Sequence, residues 1–276
     1  MNVIHLHATD IALAALLALA NALASLILQL RVHRQVLWAT VRMVVQLLLV
    51  GWVLRLVFQT QSPLATGLVA GVMVLAAARE VAVRPDWRLT GGGNYGIATV
   101  TVSVSSVATV LLALFTAIRP EPWHDPRYAV PLFGIVLGSV LNSASLGLDT
   151  FFEGVGHRRA GIEAQLALGH PMRLALRELV QTSIRRGVIP IVNQMSAAGI
   201  ITLPGIMTGQ LLAGMDPIES AKYQILLLLL LTGAGGLASV GSVLLAARMI
   251  SDDRQRLRVD RLSPARRVRS STQGKN

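Results

Sequence analysis

Residues 148–204 read LDTFFEGVGHRRAGIEAQLALGHPMRLALRELVQTSIRRGVIPIVNQMSAAGIITLP. This stretch lies between two apolar runs and carries most of the interior charge of the chain. From Ala160, Ile162 and Leu166, then Leu168, Met172, Ala175 and Leu179, recur at three- and four-residue steps, while Glu163, Arg173, Arg177 and Glu178 fall elsewhere. That periodicity predicts one or two helices with a single apolar face. About residues 149–186 are too polar to cross a bilayer, and a membrane protein uses such a segment to meet something soluble.

Outward from it, composition sets the class. The 276 residues are 53% hydrophobic and 14% charged, which is too apolar for an ordinary soluble domain of this length. The expected fold is all-α, a polytopic membrane helix bundle of about seven transmembrane spans with a cytoplasmic amphipathic helix. The chain has no cysteine, so disulfide scaffolds, thiolate metal ligands and cysteine catalysis are excluded. Lysine occurs only at Lys222 and Lys275, so arginine carries nearly all of the net charge of +11.

The expected spans are about 9–30, 36–58, 64–83, 97–118, 128–148, 188–213 and 223–247, each near the roughly 20 residues that cross a hydrocarbon core. The first is read as a retained span, because residues 1–10 offer no positive region of the kind that opens a signal peptide. The sixth holds Asn193 and Gln194 with Gly199, Pro204, Gly205 and Gly209, so it is expected to be kinked, as helices are where they line a cavity. Residues 1–250 form the membrane domain, and 251–276 a basic arm expected to be disordered. The arm's default partner is an anionic lipid surface, not nucleic acid.

Charge sets the orientation. Twenty Lys and Arg fall in the links at 31–34, 79–88 and 149–186 and from Arg248 onward. Four, at Arg55, Arg119, Arg127 and Lys222, fall on the other side. This bias places the long segment and the C-terminus in the cytoplasm and the N-terminus outside, in a multi-pass protein of the inner or plasma membrane.

Several residues invite a functional reading. Arg42 and Gln46 share one face of the second span, where an arginine costs a few kcal/mol unless paired or hydrated. It is either a gate or cargo contact, or a structural tie to a carbonyl or to a polar residue such as Asn142 or Asn193. With Gln194 and Gln210 these residues make up the candidate pathway. His5, His7, His124 and Asp125 fall on the outer side and could receive or release a metal ion. Met195, Met207 and Met215 offer soft sulfur, or simply fill core gaps. The run Thr90-Gly-Gly-Gly-Asn-Tyr-Gly96 lacks the Lys-Ser/Thr pair of a phosphate-cradling loop and reads as a turn before a span.

The motif Glu163-Ala164, four residues, then Gly169 resembles the coupling element of ABC-transporter permeases. Its context is more specific: Pro131 to Gly138, Asn142, Leu146 to Asp149, Pro190 to Asn193, Gly199 to Gln210, Asp216-Pro217 and Tyr223-Gln224. Together these resemble the FetB/YbbM permeases, known as iron exporters in bacteria and related to plant aluminium-tolerance permeases. The likeness covers about residues 31–248. Two departures stand out: Ser139 occupies a position that is usually Asn, and Gln181-Thr182 replaces the Leu-Pro of the general element.

The resemblance implies a permease subunit that is not itself an enzyme, exporting iron or another metal. Two copies would assemble with two cytoplasmic ABC ATPase subunits, which bind the ATP and magnesium, while this chain binds no cofactor. Glu163, Ala164 and Gly169, with the neighbouring Arg158 and Arg159, would form the coupling contact. The alternatives are a permease for an organic solute or sugar nucleotide, an ion-coupled carrier, for which Asp10 is the only membrane carboxylate considered, and a scaffold using the same segment for docking.

Two outcomes follow from the sequence. A reporter fused after Arg186 or Ser251 is expected to be cytoplasmic and one at Glu121 external; a cytoplasmic reporter at Glu121 removes a span. In a permease dimer Arg42 would face the interior within reach of Asn193, and Arg42→Leu would leave a hydrogen-bonding group unpaired at about 1–3 kcal/mol. Cargo export per inserted permease should then fall further than abundance does, compared with wild type and Arg42→Lys. Normal export at normal abundance would make the arginine structural.

Overall fold

The computed structural model describes residues 8–28, 33–60, 62–252 and 254–264. The chain divides into two compact units, 1–62 and 63–276. In the first, α1 (Ala8–Ile27) packs on α2 (His33–Thr60), burying Ala22, Ser25 and Val57 and leaving most leucines and valines of both helices outward, as a lipid-facing pair requires.

The second unit is a bundle of five principal helices: α3 (Pro63–Val83), α4 (Gly93–Leu112), α5 (Pro126–His157), α8 (Arg177–Ala197) and α10 (Pro217–Ile250). Between α5 and α8 come α6 (Arg159–Ala167) and the single turn α7 (Met172–Ala175), and between α8 and α10 the short α9 (Gly205–Leu212). Both long helices open on Asp-Pro. Asp125 Oδ1 accepts Arg127 N at 2.9 Å, and Asp216 Oδ1 accepts Ile218 N at 2.9 Å and Glu219 N at 3.1 Å. The proline at the first helical position gives up only an N–H that a helix start leaves unpaired.

Among the described residues, five helices are long and apolar enough to cross a bilayer, at 36–60, 63–83, 90–118, 126–157 and 217–250. The first expected span corresponds to the 20-residue α1. The sixth, expected as one kinked span over 188–213, is instead broken: α8 stops at Ala197, Gly199 turns at φ +85°, and α9 begins after Pro204. A left-handed glycine ends the helical path, and a proline lacks the N–H that would continue it. Two residues before the end of α8, Met195 Sδ accepts the Thr232 hydroxyl at 3.0 Å. Thr232 lies about 22 Å along α10 at 1.5 Å per residue, near its midpoint. The break therefore sits level with the middle of α10.

The bundle is drawn together where α5, α8 and α10 meet. A Cβ on Gly187 of α8 would fall on Ser239 Oγ and come within 2.7 Å of the Ser143 carbonyl oxygen. One on Gly235 of α10 would lie 2.7 Å from Ser143 Oγ. One on Gly147 of α5 would lie 3.2 Å from Ser239 Oγ and from Val243. Ser139 Oγ donates to Leu231 O and Ser239 Oγ to Ile184 O, each at 3.1 Å, so hydroxyls bridge the helices that glycines allow to approach. Phe151, Phe152, Leu148, Val102, Val81 and Val243 fill the core around this seam, all fully buried.

Within the arm expected to be disordered from residue 251, residues 254–264 form a strap against the bundle. Arg258 N bonds Ile250 O at 2.8 Å, and strand β2 (Leu262–Pro264) pairs antiparallel with β1 (Trp87–Leu89), burying Leu262. Gln255 Oε1 also accepts Met172 N at 2.7 Å, which ties this strap to α7. Leu257 and Leu262 are the apolar residues that an Arg-rich count obscured; residues 265–276 lie outside the described residues. The glycine turn before α4 is fixed by buried Asn94, which accepts Leu89 N at 3.1 Å and donates to Ala82 O at 3.2 Å.

Gly187→Ala tests the seam. A methyl in a full contact costs about 1–3 kcal/mol, so the purified protein should show a clearly lowered melting temperature in detergent, whereas Gly51→Ala, on an open face of α2, should not. Equal melting temperatures would mean that the helices are not held by this contact.

Candidate functional site

The polar segment between α5 and α8 builds a short helix and a cleft. In α6, Ile162 is buried while Glu163 and Ala164 face outward. Gly169 closes it at φ +87°, with Gly169 N bonding Leu166 O at 3.0 Å and His170 N bonding Gln165 O at 3.1 Å. This is the paired closure that a left-handed glycine makes at a helix C-terminus, and it gives the motif's glycine a physical reason. Arg159 Nε pairs with Glu163 Oε1 at 2.8 Å, and Arg158 Nη1 with Glu178 Oε1 at 3.1 Å. Both pairs are solvent-exposed and worth about 0–1 kcal/mol each. A cleft of about 280 Å³ separates α6 from α7 and the start of α8, with Gln165 and Ile162 on one wall and Ala175, Glu178 and Leu179 on the other. By chain continuity α6 joins α5 to α8.

Those two helices form the walls of a polar groove. A cavity of about 220 Å³ is lined by Ser139, Asn142 and Ser143 of α5, by Pro190, Ile191 and Gln194 of α8, and by Leu231 of α10. A second, of about 230 Å³, shares Asn142 and Pro190 and adds Arg84, Ser145, Leu146 and Asp149 toward the α6 end of α5. Arg84 Nη1 donates to Asn142 Oδ1 at 3.3 Å, and Asp149 Oδ1 accepts Asp86 N at 3.1 Å. Ser145 is buried and its hydroxyl has no partner.

The expected pathway residues fall in three places. Asn142 and Gln194 share the groove. Asn193 is exposed on α8, and Gln210 lies on α9 with a buried Oε1 that has no partner. Arg42 and Gln46 lie on α2, in the first unit. Of the outer metal candidates, Asp125 caps α5, and His124 stands edge-on to Trp123 with ring centroids 5.7 Å apart. His5 and His7 lie outside the described residues. No group of three or more His, Cys, Asp or Glu that could hold a metal ion occurs among the described residues.

Arg84, Ser145 and Asp149 were missed by the sequence reading, although a signal existed. Ser139, Asn142, Ser145 and Asp149 step by three, three and four, a polar stripe along one face of an otherwise apolar span. Ser139, which stands where the resembled family usually has Asn, is part of that stripe and lines the groove.

Comparison with known proteins agrees with this architecture. The profile of a family described as "Uncharacterised protein family (UPF0014)" matches residues 8–250. A UPF0014 membrane protein of Synechocystis sp. is 34% identical over 225 residues, 82% of this chain and 86% of that protein. A UPF0014 membrane protein of Oryza sativa is 31% identical, over 85% of this chain and 80% of its own length. The Probable iron export permease protein FetB of Escherichia coli is 28% identical over 262 residues, 95% of this chain and 99% of that protein. No solved structure matches. With its profile match running from α1 to the end of α10, the chain belongs to the UPF0014 family of membrane proteins.

Proposed function

We propose that this chain is the membrane-spanning permease subunit of an ATP-driven ABC transporter that exports iron or another metal cation from the cytoplasm. The observation that carries the reading is the placement of α6. This exposed helix, with Glu163 and Ala164 outward, is continuous at one end with α5 and at the other, through α7, with α8, and those helices are the two walls of the polar groove. A partner that moves α6 therefore acts on both walls. The near full-length likeness to a protein named for iron export supports the cargo class.

ATP and magnesium belong to a separate cytoplasmic ATPase that seats α6, and a second copy of this chain completes the membrane part. The second copy is supported by the break after α8, where Ile200, Ile201 and Leu203 are exposed around non-helical backbone level with the middle of α10. Within a membrane such backbone is stable only against protein or a water-filled passage. The orientation is N-terminus outside and C-terminus cytoplasmic. One observation favours a second reading: Asp149, at the inner end of the groove, is a carboxylate of the kind an ion-coupled carrier needs.

The two readings part on ATP. Reconstituted with its ATPase, the permease should stimulate ATP hydrolysis and export cation only when ATP is present. Glu163→Lys reverses the charge offered to the partner. Gly169→Pro is barred twice, since proline cannot reach φ +87° and removes the N–H that bonds Leu166 O. Both variants should insert normally and lose most of the stimulation. Full stimulation in both would remove α6 as the coupling contact, and cation export that ignores ATP would select the carrier.

A further inference from the structure

We propose that the cavity formed by Arg84, Asn142, Ser145 and Asp149 is the cytoplasmic loading site for the cargo, that the cargo is a hard, oxygen-preferring cation, and that Arg84 is a tethered competitor holding the site between loads. The proposal rests on the permease reading and adds to it the residues and the chemistry of selection. Every candidate donor in the cavity is oxygen: the Asp149 carboxylate, the Asn142 side-chain carbonyl and the Ser145 hydroxyl. Carboxylate, carbonyl, hydroxyl and water ligands suit hard cations, whereas thiolate, thioether and imidazole suit softer ones.

Two donors have unused capacity. Ser145 is 4% exposed and its Oγ has no hydrogen-bond partner, a condition that calls for an explanation in a buried hydroxyl. Asp149 accepts one backbone N–H, and a carboxylate offers about four acceptor positions. Among the described residues no ion pair neutralises it. The carboxylates of Asp86 and Glu153 and the guanidinium of Arg84 lie within electrostatic range of Asp149, so three negative groups face one positive one and the mouth favours cations. At about 230 Å³ the cavity takes an ion with several waters, each filling about 30 Å³.

Arg84 explains how an empty site is kept. Its guanidinium reaches Asn142 Oδ1 through a long 3.3 Å bond and makes no ion pair with Asp149. It supplies positive charge where the cargo would sit, but loosely enough to be displaced. A single carboxylate with neutral oxygens also binds weakly enough to release, as a transported ion requires. Past Asn142 the groove continues toward Gln194, which gives the displaced ion a polar way onward.

The test uses variants with effects of opposite sign. Mn(II), a hard cation visible by electron paramagnetic resonance, is titrated into the purified full-length permease without ATPase. Asp149→Asn keeps the oxygen that accepts Asp86 N but removes the charge, and should weaken binding by about tenfold or more. Ser145→Ala should weaken it by about threefold, and Arg84→Gln should tighten it by about threefold or more. Melting temperatures within a few degrees of wild type show that each variant is folded. An anion or zwitterion site would instead lose affinity on Arg84→Gln, and that result overturns the proposal. Mn(II) affinity unchanged by Asp149→Asn, in a permease that still stimulates its ATPase, removes the site but leaves the permease. The predicted affinity pattern in a permease that stimulates no ATPase supports the site and removes the transporter reading.

Discussion

The close approach of α5, α8 and α10 is the contact on which the rest of the molecule depends. Lipid offers no hydrophobic drive to bring one apolar helix against another, so association depends on packing and on interhelical hydrogen bonds of about 0.6 kcal/mol each. Here Gly147, Gly187 and Gly235 remove the side chains that would hold the backbones apart, and Ser139 and Ser239 bond across the gaps they leave. The contact is intolerant of added volume, so the three helices are fixed in register along the seam. Cavities lie beside it, lined by Asn142, Pro190 and Gln194.

That arrangement gives the groove a rigid back and movable ends. At one end the walls run into α6, which is held by an exposed ion pair from Arg158 to Glu178 and separated from α7 and α8 by a cleft. At the other end α8 stops near the midpoint of α10 and the chain turns at Gly199 before α9 resumes. Between those ends the polar side chains step along α5 at helical spacing. The strap formed by 254–264 joins α7 to the β1 turn, so this end of the bundle is bound together by hydrogen bonds as well as by the burial of Leu257 and Leu262.

Much of this was legible in the sequence. Length and apolarity marked the helices, although α5 and α10 begin earlier than the expected spans, at their Asp-Pro pairs, and the Glu-Ala-to-Gly motif marked the short helix that Gly169 closes. What escaped had physical causes. Asp149 falls one residue past the expected end of the fifth span, so only the helical face it shares with Ser139, Asn142 and Ser145 marks it as part of the groove. The seam escaped because a glycine in an apolar run shows that close approach is allowed, not which helix approaches. Gly199 and Pro204 announced a kink, but whether a helix bends or breaks depends on bonds that neighbouring turns can replace. The strap was hidden by net charge: Leu257 and Leu262 anchor it, and between its arginines Asp260 pairs with Arg258.

The account stands on α6 moving the groove walls, and the chain's freedom from cysteine makes that motion measurable. Spin labels on Leu146→Cys of α5 and Gln194→Cys of α8, in labelled chains diluted with unlabelled ones, report the width of the groove within one copy. In the complex with its ATPase, the distance distribution should differ between the nucleotide-free and ATP-bound states, and Glu163→Lys should abolish the difference. A distribution that stays the same in both states, while the complex hydrolyses ATP at its stimulated rate, would contradict the account.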